Sequence, residues 1–243
     1  MQKVDAWLQL ARARIATHIW PPQCVLCGGR GQGASVDLCG GCEADLPLNA
    51  VHCEICAEPL QGGSMNVLCG ACVRHRPRFD ASIVPFRYAY PMDHVVRRLK
   101  YGGAVAMGRV LGELFARHLL AQSSNALPEL LIPVPLAQRR FSERGFNQAI
   151  VLAEHITRRV ALPLRTDLLV RTRETLEQAG LDQRARRRNI RRAFAITRPL
   201  PAAHVAIVDD VVTTGSTVNE IARVLKRAGA KRVEVWAIAR AGR

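Results

Sequence analysis

Apolar residues in this chain follow two alternating periods. Leu111, Leu114, Phe115 and Leu119 recur at helical spacing and predict a helix over about residues 105–122. Val95, Val96 and Leu99, set among basic residues, predict another over 92–101, broken by Gly102-Gly103. A third is expected over 147–159, and Ile221, Val224, Leu225 and Ala228 mark the face of a fourth. Between them lie short apolar runs: a candidate strand near 81–90, Leu130-Leu131-Ile132 stopped by prolines, the run from His204 to Asp210, and a last strand over 232–239. Strands alternating with helices predict an α/β fold, a parallel sheet with helices on both faces.

Residues 1–22 carry Trp7, Leu8, Leu10, Ala11 and Ile15 in an amphipathic pattern and close on Pro21-Pro22. Lys3, Asp5, Arg12 and Arg14 interrupt any leader-type apolar core, and no apolar run approaches the roughly 18 residues of a membrane span. No membrane insertion is expected, and the expected location is the cytoplasm. The formal net charge is +15, from 35 Lys+Arg against 20 Asp+Glu. A field of that sign favours polyanions, although a solvated basic surface without a partner has the same composition.

All eight cysteines fall in C-x-x-C pairs within one stretch: Cys24/Cys27, Cys39/Cys42, Cys53/Cys56 and Cys69/Cys72. Two intervening residues let both thiolates face one ion from a tight turn, and two such knuckles complete a tetrahedral zinc site. Disulfides are disfavoured in a reducing compartment, and a redox pair does not account for four evenly placed repeats. The simplest assignment is sequential, Cys24, Cys27, Cys39 and Cys42 on one zinc and Cys53, Cys56, Cys69 and Cys72 on the other; crossed pairings remain open. His52 and His75 read as surface histidines. Four thiolates leave no open coordination position, so both sites are expected to be structural. The chain thus divides into residues 1–22, a small zinc-ribbon module over 23–76, and one α/β domain over 77–243.

The strand ending at Val208 runs into Asp209-Asp210-Val211-Val212-Thr213-Thr214-Gly215-Ser216-Thr217 and then into a helix. A small-residue turn at a helix N-terminus gathers free N–H groups, hydroxyls and the positive end of the helix dipole, which suits a phosphate. Carboxylates beside such a cradle suit hydroxyls or hydrated Mg²⁺. A second string, Pro133-Val134-Pro135-Leu136, gives a rigid strand exit, with Arg140 and Arg144 projecting from the loop beyond it. Guanidinium groups match phosphate oxygens in bidentate fashion. Arg184, Arg186, Arg187, Arg188, Arg191 and Arg192 crowd a third segment, where they would repel one another without an anion.

The Asp-Asp…Thr-Thr-Gly-Ser-Thr string resembles the phosphoribosyl-pyrophosphate (PRPP) loop of type I phosphoribosyltransferases. The resemblance implies that Asp209 and Asp210 take the ribose, and that Val211, Thr213, Thr214, Gly215, Ser216 and Thr217 line the phosphate site. The string from Pro133 to Gln148, the segment from Arg171 to Asn189 with Thr175, Gln178, Leu181 and Arg186, the following Phe194 and the cysteine knuckles together resemble the ComF/GntX (competence protein F) family. That resemblance spans most of residues 24–240. It implies a type I phosphoribosyltransferase-like sheet behind a double zinc ribbon. It also implies Pro133, Val134, Pro135, Arg140 and Arg144 in a pyrophosphate loop, and Arg171 and Arg186 in a flexible loop. The expected cofactors are two structural Zn²⁺, and Mg²⁺ accompanying PRPP.

The resemblance further implies a role in DNA uptake and use, with single-stranded DNA as partner and a DNA-translocating helicase or a recombination protein as a further one. If the protein is an enzyme, a nitrogen nucleophile displaces pyrophosphate from PRPP, with Asp209 and Asp210 as the candidate catalytic residues. Two alternatives stand beside this reading: a nucleobase-salvage phosphoribosyltransferase and a non-catalytic PRPP sensor. Neither the acceptor nor a general base for it is legible.

Overall fold

The computed structural model describes residues 23–31, 37–62, 67–101, 104–122, 126–173 and 188–242. The helix expected over residues 1–22 lies outside them. In chain order the helices are α1 (Gly40–Ala44), α2 (Gly70–Arg74), α3 (Met92–Tyr101), α4 (Ala104–Ala121), α5 (Gln138–Arg144), α6 (Gln148–Val160) and α7 (Ser216–Arg227). The strands are β1 (Ala81–Ile83), β2 (Phe86–Arg87), β3 (Leu130–Pro133), β4 (Leu169–Arg171), β5 (Phe194–Ile196), β6 (His204–Val212) and β7 (Arg232–Arg240).

β6 and β7 form the parallel centre, paired from His204↔Arg232 to Val212↔Arg240. β3 adds to the far side of β6. Both β1 and β2 pair with β7, in continuation of one another. The single strand expected near residues 81–90 is therefore two short pieces. Pro85, which has no N–H to give the ladder, separates them, and its carbonyl accepts from the Asn49 amide at 2.8 Å instead.

Side chains alternate across the sheet, so each strand feeds two cores. Val205, Ile207, Val233 and Val235 pack with Val218, Ile221, Ala222 and Leu225 of α7. Ala206, Val208, Trp236 and Ile238 pack on the opposite face with α3, α4 and α6. The buried stripe of α7 includes Val218, while Val224, expected in it, is half-buried. α4 and α6 approach closely because Gly108 and Gly112 carry no Cβ. One added at Gly112 would lie 2.4 Å from His155 Cβ, and one at Gly108 2.4 Å from Val151 Cγ1.

Two elements differ from expectation. The stretch carrying Arg140 and Arg144 is helical. The Phe141 amide donates to Ala137 O at 2.9 Å, and the turn closes at Gly145 with φ 75°. β4 and β5 form an antiparallel pair outside the main sheet, in register Leu169↔Ile196 and Arg171↔Phe194. Leu168, Leu169 and Phe194 bury against the α7 side of the sheet.

The two cysteine quartets fall on opposite faces. Cys24, with Leu38 and Leu46, joins the core of α3 and α4. Cys53, Cys56, Cys69 and Cys72 join the core of α7, with Phe79, Val84 and Val212. Among the described residues, no helix is long and apolar enough to cross a membrane.

Candidate functional site

The knuckles bring together the quartets expected from sequential pairing. The Sγ atoms of Cys24, Cys27, Cys39 and Cys42 lie within 4.8 Å of one another, as do those of Cys53, Cys56, Cys69 and Cys72. Cys27 and Cys39 Sγ are 3.6 Å apart, as are Cys56 and Cys69 Sγ. Tetrahedral zinc with bonds of about 2.3 Å needs sulfurs about 3.8 Å apart, so the donor sets fit the ion. Burial pushes the Cys24 thiol up, but N–H groups of Cys27, Cys39 and Leu26 outweigh it and bring it to about 6. Cys53 is brought to about 7 in the same way. Burial pushes Cys56 up to about 11, with the Cys53 charge adding to the rise. Cys42, through its hydrogen bond with Cys39, and Cys72, through burial, are also raised. Four ionised thiols in one knuckle pair repel one another, and a dication at their centre removes that penalty. His52 Nδ1 bonds to Asn49 O at 2.6 Å and His75 is exposed, so neither completes a metal set.

A second constellation lies at the C-terminal edge of the sheet, where parallel α/β folds place ligand sites. The turn after β6 enters α7 through Gly215, whose φ of 73° is left-handed and suits a residue without Cβ. Thr214 Oγ1 and Ser216 Oγ are 2.9 Å apart at the mouth of the helix. Asp209, Val211, Val212, Thr213, Thr214, Gly215, Ser216 and Thr217 line one open cleft with about 690 Å³ of empty space, together with Tyr88, Lys100 and Val218. This part of the constellation expected from sequence is thus gathered at one place.

The acidic pair is differentiated by its surroundings. Asp210 is buried at 4% exposure, and its Oδ2 lies 2.7 Å from Lys100 Nζ. Asp209 is half-buried and lines the cleft. Burial and the neighbouring Asp210 charge hold its carboxyl well above the usual carboxylate range, despite a favourable Lys100. Such a carboxylate is suited to gaining a cation or hydroxyl donors. Lys100 in turn is held above the ordinary lysine value, because Asp210 and then Asp209 outweigh its desolvation.

Pro133 pairs with Val208, so the Pro-Val-Pro exit lies on the strand beside the acidic pair. Val134 N donates to Val208 O at 2.9 Å, and Val134 O accepts from Asn147 Nδ2 at 3.0 Å. Pro135 follows at the strand exit. Arg144 stacks over Tyr101, 5.1 Å from the ring centroid, with Nη2 3.4 Å from the hydroxyl. Against a desolvation cost, hydrogen bonds from Arg144 and then Arg140 pull the Tyr101 hydroxyl below the usual phenol range. Both arginines therefore meet the residue next to Lys100, although neither lines the cleft. Arg171 lies on β4 with its guanidinium 5.6 Å from the Phe194 centroid and is not part of the lining. Arg186, with Thr175, Gln178 and Leu181, lies outside the described residues.

Sequence reasoning missed Lys100 and Tyr88. The signal for Lys100 was present. Met92, Val95, Val96 and Leu99 form the buried stripe of α3, and position 100 continues that i, i+3, i+4 series with a cation.

Fold and site together define a phosphoribosyltransferase-like α/β domain fronted by a double zinc ribbon. Residues 15–73 match the double zinc ribbon domain, and residues 147–243 match the phosphoribosyl transferase domain. The chain is 33% identical over 225 residues to competence protein F of Haemophilus influenzae, covering 90% of this chain and 97% of that one. It is 34% identical over 206 residues to the DNA utilization protein YhgH of Escherichia coli K12, covering 84% and 90%. It is also 25% identical over 208 residues to competence protein ComFC of Bacillus subtilis, covering 79% of each. The chain belongs to the competence protein F family.

Proposed function

We propose that this protein binds PRPP with Mg²⁺ in the cleft at the end of β6, and that it handles single-stranded DNA in DNA uptake or use. The observation that carries the first half is the convergence, in one cleft, of a half-buried carboxylate and a hydroxyl-bearing loop capping α7. The loop supplies donors for a phosphate at the positive end of a helix. Asp209 faces the same space, where ribose hydroxyls satisfy it. Asp210 is engaged by Lys100 and fixes the strand end rather than reaching for ligand. Of the pair, Asp209 is the carboxylate that would be available to Mg²⁺ in the cleft, and the ion would supply neutralising charge when bound.

The DNA reading draws on the names of the relatives above and on surface chemistry. Arg74, His75, Arg76 and Arg78 are exposed just after the second zinc knuckle in sequence, Arg87 is exposed on β2, and Tyr90 stands 81% exposed three residues on. Phe79 and Phe86 are buried and are not stacking platforms. Contact through arginines to the backbone gives binding that weakens steeply with salt and depends weakly on sequence.

The test is pyrophosphate release from PRPP with Mg²⁺ by zinc-replete protein, across free nucleobases with and without single-stranded DNA. The expected result is no base-stimulated turnover, alongside salt-sensitive DNA binding. Release stimulated by one free base would replace this reading with a salvage transferase.

A further inference from the structure

Arg240 is 1% exposed, an unusual place for a guanidinium, and its nitrogens face three segments of chain. Nε donates to Cys56 O at 3.0 Å, the carbonyl of a zinc-knuckle residue. Nη1 donates to Val212 O at 3.0 Å and Ala241 O at 2.6 Å, and it also contacts Thr213 O. Nη2 pairs with Glu58 Oε2, two residues beyond Cys56. Val212 ends β6, and Thr213 opens the turn that leads into α7. The register Val212↔Arg240 sets this geometry, because the last residue of β7 stands beside the last residue of β6. Behind the turn, Cys56, Cys72, Thr214, Gly215, Ser216 and Arg240 share a second pocket. Thr214, Gly215 and Ser216 thus have the ligand cleft on one side and the second knuckle on the other.

We propose that Arg240 is a positioning residue that fixes the carbonyl edge of the phosphate turn to the second zinc knuckle, so that metal occupancy at Cys53, Cys56, Cys69 and Cys72 sets the turn's affinity for ligand. The proposal rests on the reading that this turn takes the ligand's phosphate. The physical reason is the fan of donors. A planar guanidinium holds several carbonyls in one fixed arrangement, whereas an ammonium is a point charge on a flexible stem. The Cys56 carbonyl is placed by its own knuckle, so its position follows the metal. The first quartet, on the opposite face, has no such connection among the described residues.

The test compares wild-type holoprotein, Arg240→Lys and Arg240→Met by zinc content, PRPP affinity and amide hydrogen exchange. Both variants are expected to keep two zinc ions. PRPP affinity is expected to fall by about tenfold to a hundredfold in Arg240→Met, as for loss of a positioning contact, with Arg240→Lys intermediate. Exchange is expected to rise at residues 213–217 and to stay unchanged at 205–208. A second arm withdraws zinc from wild-type protein with a chelator. The same rise at 213–217 is expected as the second site empties, and this arm together with Arg240→Lys decides the matter if Arg240→Met does not fold. Wild-type exchange at 213–217 in Arg240→Lys and after emptying of the second site would overturn the proposal. If wild-type protein binds no PRPP, the functional reading falls, and the exchange readout still decides the tether.

Discussion

Asp209 and Asp210 are neighbours with opposite energetic standing. Asp210 is paired with Lys100, both largely removed from water, so replacing it strands a buried ammonium. Asp210→Asn is expected to cost about 1–3 kcal/mol of stability, measured by urea unfolding. Asp209 carries a raised pKa from burial and from Asp210. Its favourable contribution is complete below the ordinary carboxylate value of 3.8 and is lost as pH rises through the raised value. Asp209→Asn is therefore expected to gain stability relative to wild type as pH increases, while losing PRPP affinity. Unfolding titrations at several pH values check the first point and calorimetry the second. The Asp-Asp-x-x-Thr-Thr-Gly string was legible because its chemistry is contiguous in the chain. Lys100, more than a hundred residues earlier in sequence, became part of the site only through packing of α3. The buried Arg240 likewise reads in sequence only as a polar end to an apolar strand.

Among elements, long periodic helices were read closely. α3 spans the expected residues, and α6 begins one residue after Asn147, whose side chain caps it by accepting from Ala149 N at 2.9 Å. Short elements escaped. β4 and β5 have three residues each, too few to express a period, and α5 is defined by its left-handed Gly145 as much as by any apolar stripe. The close α4–α6 crossing was also hidden, because Gly108 and Gly112 read as helix weaknesses until the facing Val151 and His155 are seen. Gly112→Ala places a methyl 2.4 Å from His155 Cβ and is expected to destabilise by about 1–3 kcal/mol in urea unfolding. Gly215→Ala forces a left-handed conformation on a residue with Cβ and is expected to cost about 1 kcal/mol, with weakened PRPP binding.

Across the whole molecule, the zinc ribbons were legible as metal sites from cysteine spacing alone. Their placement on the two faces of the sheet was not, because it depends on which core each knuckle joins. That arrangement makes the metals part of both cores. Purified protein is expected to contain about two zinc ions per chain, and chelation is expected to lower the unfolding temperature of the sheet domain as well as the ribbons. Metal analysis and calorimetric scans check both, and one zinc or none would contradict the assignment. Titration calorimetry of zinc-replete protein with PRPP and Mg²⁺ reads whether the cleft at the end of β6 holds PRPP. Saturable binding of one PRPP per chain is expected, lost in Asp209→Asn and weakened in Gly215→Ala. No binding by wild-type protein, or equal binding by Asp209→Asn, would contradict it.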